Sequence, residues 1–142
     1  MSNLIAFLNQ NSIKPEPERH IISKRLTNKE GKALEWVFEA LDASIDTEIR
    51  KSCTKLVQVP GRKGQYLPET DQEKYIVKMC IATIKEPNLH DKEAQDLCGV
   101  MCAEDLLLKM LLPGEYADVT AIATRVNGFD KSFEDKVETV KN

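Results

Sequence analysis

Side chains able to do chemistry are sparse in this sequence. There are two histidines, His20 and His90, and four cysteines, Cys53, Cys80, Cys98 and Cys102. Nucleophilic or acid–base catalysis needs a nucleophile and a base within hydrogen-bond reach, oriented by a third group. His20 stands in a strand-like stretch and His90 at a helix start, and no spacing supplies either with a partner. Cys98-x-x-x-Cys102 beside His90 hints at a metal, but the paired C-x-x-C knuckle of tetrahedral zinc is missing. Gly99 is also expected to break the helix between the two thiols, so neither a metal nor another cofactor is expected. Gly61-Arg62-Lys63-Gly64 lacks the G-x-x-x-x-G-K-[ST] spacing of a phosphate loop and is not followed at once by a helix. Glu104-Asp105 and Glu134-Asp135 are adjacent carboxylates, which a helix sets about 100° apart, so they do not converge on a substrate. The basic stretch Arg50, Lys51, Lys55, Arg62 and Lys63 has one nearby ring, Tyr66, and suits at most a weak anion contact. No catalytic residue is assigned. The chemistry favours a binding or assembly protein over an enzyme.

Composition agrees. The 142 residues carry 20 basic and 23 acidic side chains, for a net charge of −3, with 42% hydrophobic residues. A dedicated nucleic-acid binder would show a basic excess. The charge is unevenly spread: residues 43–70 hold five basic and three acidic groups, and residues 71–142 hold nine and fourteen. A chain of this length buries roughly two-thirds of its unfolded surface and needs no disulfide or metal staple. Apolar runs are only a few residues long, so no membrane span is expected. The stretch MSNLIAFLNQN has no basic n-region and is not read as a secretory signal. Four cysteines in that setting read as reduced thiols in a cytoplasm.

The elements that must position these residues follow from the apolar periodicity. Leu4, Ile5, Phe7 and Leu8 form a short apolar cluster before a linker held extended by Pro15 and Pro17. Residues 1–19 are therefore an arm and linker, and residues 20–142 the domain. Ile21–Leu26, a turn through Gly31, and residues 33–41 read as a β-hairpin within 20–42. Period two puts Leu34, Trp36, Phe38 and Ala40 on its buried face and Glu35, Val37 and Glu39 on the other. A helical body spans 44–142. Ser44 caps a first helix whose inner residues are Ile45, Ile49, Cys53 and Leu56; residues 57–69, with two prolines and two glycines, read as a loop. Thr70 to Glu73 is a capping-box pattern for a second helix that presents Tyr75, Ile76, Met79, Cys80 and Thr83 and stops at Pro87. Further helices are expected at about 91–98, 102–111 and 113–126, the last opened by Pro113 and closed by Asn127-Gly128. A final one presents Phe133, Val137 and Val140 at i, i+4 and i+7. The fold class is α+β and helix-dominated: one N-terminal hairpin on about five or six helices, with Leu106, Leu107, Met110 and Ile122 in the helical core.

Several segments together resemble one family. Glu48-Ile-Arg-Lys-Ser-Cys-Thr-Lys55 is similar to the E-x-x-R-K-x-C-T segment of the XkdN-like phage tail assembly chaperones of Gram-positive phages and prophages. Ile22–Leu26, Gly64–Asp71, Pro87–Leu89, Leu97–Glu104, the run KMLLPGEYAD and Asn127-Gly-Phe-Asp130 follow in the family's order, over about residues 20 to 142. Cysteine at both 98 and 102 departs from the pattern. The resemblance implies a non-catalytic cytoplasmic assembly factor that binds the tape measure protein before tail tube subunits polymerise round it and is absent from the finished tail. The alternative is a structural tail or connector component.

A chaperone for exposed helices needs an apolar surface its own fold leaves partly uncovered. The two chain ends are the candidates for partner binding: Leu4, Ile5, Phe7 and Leu8 before the linker, and Phe133, Val137 and Val140 after Gly128. The partners expected are the tape measure protein and a tail tube subunit, with self-association in their absence, and neither nucleic acid nor membrane.

Overall fold

The computed structural model describes residues 3–8 and 15–129. Phe133, Val137, Val140 and the Glu134-Asp135 pair lie outside the described residues. Helix α1 (Asn3–Leu8) is followed by β1 (Glu18–Ile21), β2 (Glu35–Phe38) and α2 (Ala43–Ser52). Then come β3 (Thr54–Gln58), β4 (Tyr66–Thr70), α3 (Gln72–Thr83) and β5 (Ile84–Glu86). Helices α4 (Lys92–Leu97), α5 (Ala103–Met110) and α6 (Pro113–Val126) complete the described fold. The class is α+β, as expected. No helix among the described residues is long and apolar enough to cross a membrane.

The N-terminal hairpin pairs Glu18 with Phe38, His20 with Trp36 and Ile21 with Glu35. Its first strand therefore starts earlier than the expected 21–26. The segment after Ile21 leaves the ladder because Ser23 is buried and Arg25 is drawn to the helices, donating to the Met110 carbonyl and to Glu115. The turn is where expected: Gly31 sits at φ +81, and the Asn28 side chain accepts the N–H groups of Glu30 and Lys32. Trp36 and Phe38 are fully buried, in keeping with period two. Val37 is buried as well, contrary to the half-exposed hairpin read from the sequence. The reason is that β2 is a central strand: β5 pairs on its other side, with Val37 opposite Glu86 and Phe38 opposite Ile84.

Helix α3 is the hub of the core. It buries Tyr75, Val77, Met79, Cys80, Ile81 and Thr83 against α2, α5 and α6. Its cap is Asp71, which accepts from Lys74 N, one residue beyond the expected box, because Thr70 is committed to β4 through its hydroxyl bond to Thr54. It ends at Thr83, short of Pro87, since the residue before a proline is disfavoured in helix and β5 takes the intervening residues. Helices α4, α5 and α6 occupy the expected spans, with Gly99 at φ +72 closing α4. Leu106 and Leu107 are buried, while Met110 and Ile122 are partly buried against the same cluster.

The region 53–70 departs most from expectation. Helix α2 starts after Asp42 rather than Ser44 and stops at Ser52, so Leu56 is not on its inner face. The expected loop is a β-hairpin, with Thr54 opposite Thr70, Leu56 opposite Pro68 and Gln58 opposite Tyr66. The β-branched Thr54, Val57 and Val59 suit a strand, and the Pro60–Gly64 stretch forms only its turn.

Candidate interaction surfaces

The chemistry-bearing residues are used structurally. Arg50 of the E-x-x-R-K segment donates through Nε to Asp46 at 3.0 Å and through a terminal nitrogen to the Tyr75 hydroxyl at 3.2 Å. The Tyr75 hydroxyl in turn donates to the other Asp46 oxygen. The guanidinium lies 4.2 Å from the Tyr75 ring centroid and 5.9 Å from that of Phe129. One arginine thus ties α2 to α3 and to the residue after the α6 cap. The Asp46–Arg50 pair has the i,i+4 spacing of a helix and was legible in the sequence; its tie to Tyr75 was not. Thr54 and Cys53 of the same segment close α2: the threonine hydroxyl donates to the Arg50 carbonyl and Cys53 is buried. The basic stretch is therefore not one anion site, since Arg50 is engaged, Lys55 lies on β3, and Arg62 and Lys63 stand in the β3–β4 turn.

Burial and the hydrogen bond to Asp46 push the Tyr75 phenol up to about 12. A folded-state value above the ordinary 10.0 means the neutral phenol is favoured in the fold. Its contribution to stability is complete below about pH 10 and lost as pH rises through 12. Spectrophotometric titration of the three tyrosines should find one ionising near pH 12. Asp46→Ala should bring that step down, and a set of tyrosines all titrating near 10 contradicts the Tyr75 contact.

His20 has a partner that sequence spacing could not supply: it shares a hydrogen bond with Glu18 at 3.2 Å and packs edge-on against Phe38. Glu18 also accepts two bonds from Arg125, both 2.9 Å, which hold its carboxyl below the usual range and tie β1 to α6. His90 is exposed, and its backbone N–H donates to the Asn88 side chain. The cysteines are all unpaired; Cys53 and Cys80 are buried, and burial pushes the Cys80 thiol up to about 11. Among the described residues no group of three or more His, Cys, Asp and Glu is placed to hold a metal.

The fold leaves several large apolar side chains on its surface. Leu4, Ile5, Phe7 and Leu8 are all exposed on α1. A groove of about 360 Å³ runs between α3, α5 and α6, lined by Ile76, Val77, Leu108 and Tyr116 with Glu73 and Thr120. Leu112, at the α5–α6 junction, is also exposed. The β3–β4 ribbon exposes Leu56 (69%), Leu67 (61%) and Tyr66. The sequence pointed to the chain ends and, failing those, to the loop around Arg62 or the acidic helices; that loop is the turn of this ribbon, and the groove was not visible in the sequence. Of the groove residues Ile76 has the spacing of an inner helix position, nothing in the sequence marks Val77 or Leu108, and the ribbon was hidden by its prolines and glycines.

The likenesses to known proteins fit this picture. The model of the phage XkdN-like tail assembly chaperone family matches residues 4–141. A Bacillus subtilis (strain 168) relative, the uncharacterized protein YqbN, is 30% identical over 141 residues, covering 99% of this chain and 93% of its own length. The phage-like element PBSX protein XkdN of the same strain is 25% identical, covering 99% and 94%. A crystal structure of YqbN superposes with a TM-score of 0.75 at 24% identity, over 92% of this chain and 99% of its own, and shows the same fold. With its family model matched over nearly all its length, the chain belongs to the XkdN-like phage tail assembly chaperones.

Proposed function

We propose that this chaperone acts without catalysis in the host cytoplasm, holding a helix of the tape measure protein until tail tube subunits replace it, and is absent from the finished tail. The observation that supports the reading is the groove between α3, α5 and α6. Its apolar lining at Ile76, Val77, Leu108 and Tyr116 takes the side chains along one face of an amphipathic helix. Leu108 is half-exposed within that lining, and half-exposed Leu112 stands at the junction of α5 and α6. Binding that buries such a surface reversibly needs no nucleotide hydrolysis, only a competing tube subunit.

Co-expression with the tape measure protein encoded nearby tests this. The wild type should co-purify with it. Leu108→Asp with Leu112→Ser should cut recovery at least tenfold, and, since both positions are exposed, stability should move by no more than about 1 kcal/mol. Undiminished recovery would move the contact away from the groove. Mass spectrometry of purified particles then separates the alternative: a structural tail or connector component remains in them in fixed proportion, a chaperone does not.

A further inference from the structure

The β3–β4 ribbon has two edges, and they are not equivalent. Val59 N–H donates to the Gln65 carbonyl at 2.9 Å, and Asp71 N–H donates to the Cys53 carbonyl at 2.8 Å. In an antiparallel pair, hydrogen-bonded and non-hydrogen-bonded residue pairs alternate. With the observed register, residues 53, 55, 57 and 59 therefore face the partner strand, and Leu56 and Gln58 turn their N–H and C=O groups outward, while the N–H groups at the end of α2 are taken by the carbonyls of its last turn. On β4 the outward positions are Tyr66, Pro68 and Thr70. Pro68 has no N–H to offer and its ring stands on that edge, a common protection against strand addition. The β3 edge has no such block.

We propose that the β3 edge accepts an extended, carboxylate-bearing segment of a partner protein as a third antiparallel strand. Three features define the segment. Opposite Leu56 and Val57 it needs apolar side chains, because cross-strand neighbours on each face pack against each other. Opposite Lys55 it needs a carboxylate. Beyond Gln58 it needs acidic residues that reach the turn, where Arg62 and Lys63 are exposed and have no ion pair among the described residues. The ribbon as a whole carries three basic groups, Lys55, Arg62 and Lys63, against Glu69 alone, in a chain of net charge −3. That local reversal of sign selects an acidic occupant over a basic one. Main-chain bonds supply affinity in this mode and the alternate side chains supply specificity. The site is separate from the helix groove and does not depend on the reading given to it.

The test uses the full chain, isotope-labelled, with the synthetic peptide acetyl-Glu-Glu-Thr-Val-Val-Glu-amide and a counterpart carrying lysine at each glutamate. With the acidic peptide at saturation, the amides of Leu56 and Gln58 should exchange at least tenfold more slowly, and those of Tyr66 and Thr70 should be unchanged. The lysine peptide should give no protection. Leu56→Pro removes an outward N–H without breaking a ribbon bond and should weaken binding at least tenfold. Arg62→Glu with Lys63→Glu, at exposed turn positions, should do the same even if the proline disturbs the strand. Protection at Tyr66 and Thr70, equal protection by both peptides, or none at all overturns the proposal. So does a dimer that dissociates on Leu56→Pro without peptide, which assigns the edge to a second copy.

Discussion

Phe38→Ala is expected to destabilise the fold by about 3–5 kcal/mol, the range for emptying a fully buried aromatic site. Phe38 has no exposed surface, packs edge-on against His20, and stands where the central strand pairs with both β1 and β5. The site cannot collapse easily, because the backbone on either side is held by ladder bonds. Urea unfolding monitored by circular dichroism should show a lowered midpoint with an unchanged slope. Ile21→Ala on the neighbouring strand, at a largely exposed position, should stay within about 0.5 kcal/mol. A Phe38→Ala cost similar to that of Ile21→Ala contradicts the three-stranded packing.

Asn127→Ala should cost about 3 kcal/mol although it removes only a small polar side chain. The Asn127 carboxamide oxygen accepts the Leu41 N–H at 2.8 Å, and its nitrogen donates to the Thr83 hydroxyl and the Ala123 carbonyl, both at 2.9 Å. It therefore joins the end of α6 to the end of α3 and to the chain leaving β2. Truncation leaves the half-buried Leu41 N–H without its acceptor, at about 1–3 kcal/mol, and takes from the fully buried Thr83 hydroxyl the donor it accepts, at about 1 kcal/mol more, while that hydroxyl goes on donating to the Met79 carbonyl at 2.8 Å. Asn127→Asp keeps the acceptor for Leu41 but loses both donations, so it should fall between wild type and alanine. Thermal and urea unfolding of the three proteins would give that order; an alanine variant as stable as wild type removes Asn127 as the joint. This joint gives a physical reason for the Asn127-Gly-Phe segment: asparagine bridges three elements, Gly128 takes the positive φ after the helix, and Phe129 lies over Arg50.

The helices were largely legible from the residues. Pro113, Asn127-Gly128 and Gly99 punctuate α6 and α4 at the expected places, because such signals act within a turn of the chain. The buried pair Trp36 and Phe38 was legible for the same reason: strand alternation is a local property. The ribbon was not, since two prolines and two glycines in residues 57–69 read as loop chemistry when no partner strand is in view. Pro68 is compatible with a strand only at an outward-facing position, and that position exists only once the register is set. Likewise β5 is a three-residue strand after a helix, too short to show a period.

The candidate surfaces divide in the same way. The apolar character of Leu4, Ile5, Phe7 and Leu8 and their separation by a proline linker were written in the sequence, as were the scarcity of catalytic pairs and the segments that resemble the family. Which apolar residues remain uncovered was decided by packing. Ile76 has the spacing of a core position on α3, yet α3, α5 and α6 meet without filling the space between them, and Ile76, Leu108 and Tyr116 line it. Exposure is a property of what lies opposite a side chain, and for residues separated by thirty or forty positions only the tertiary arrangement sets that.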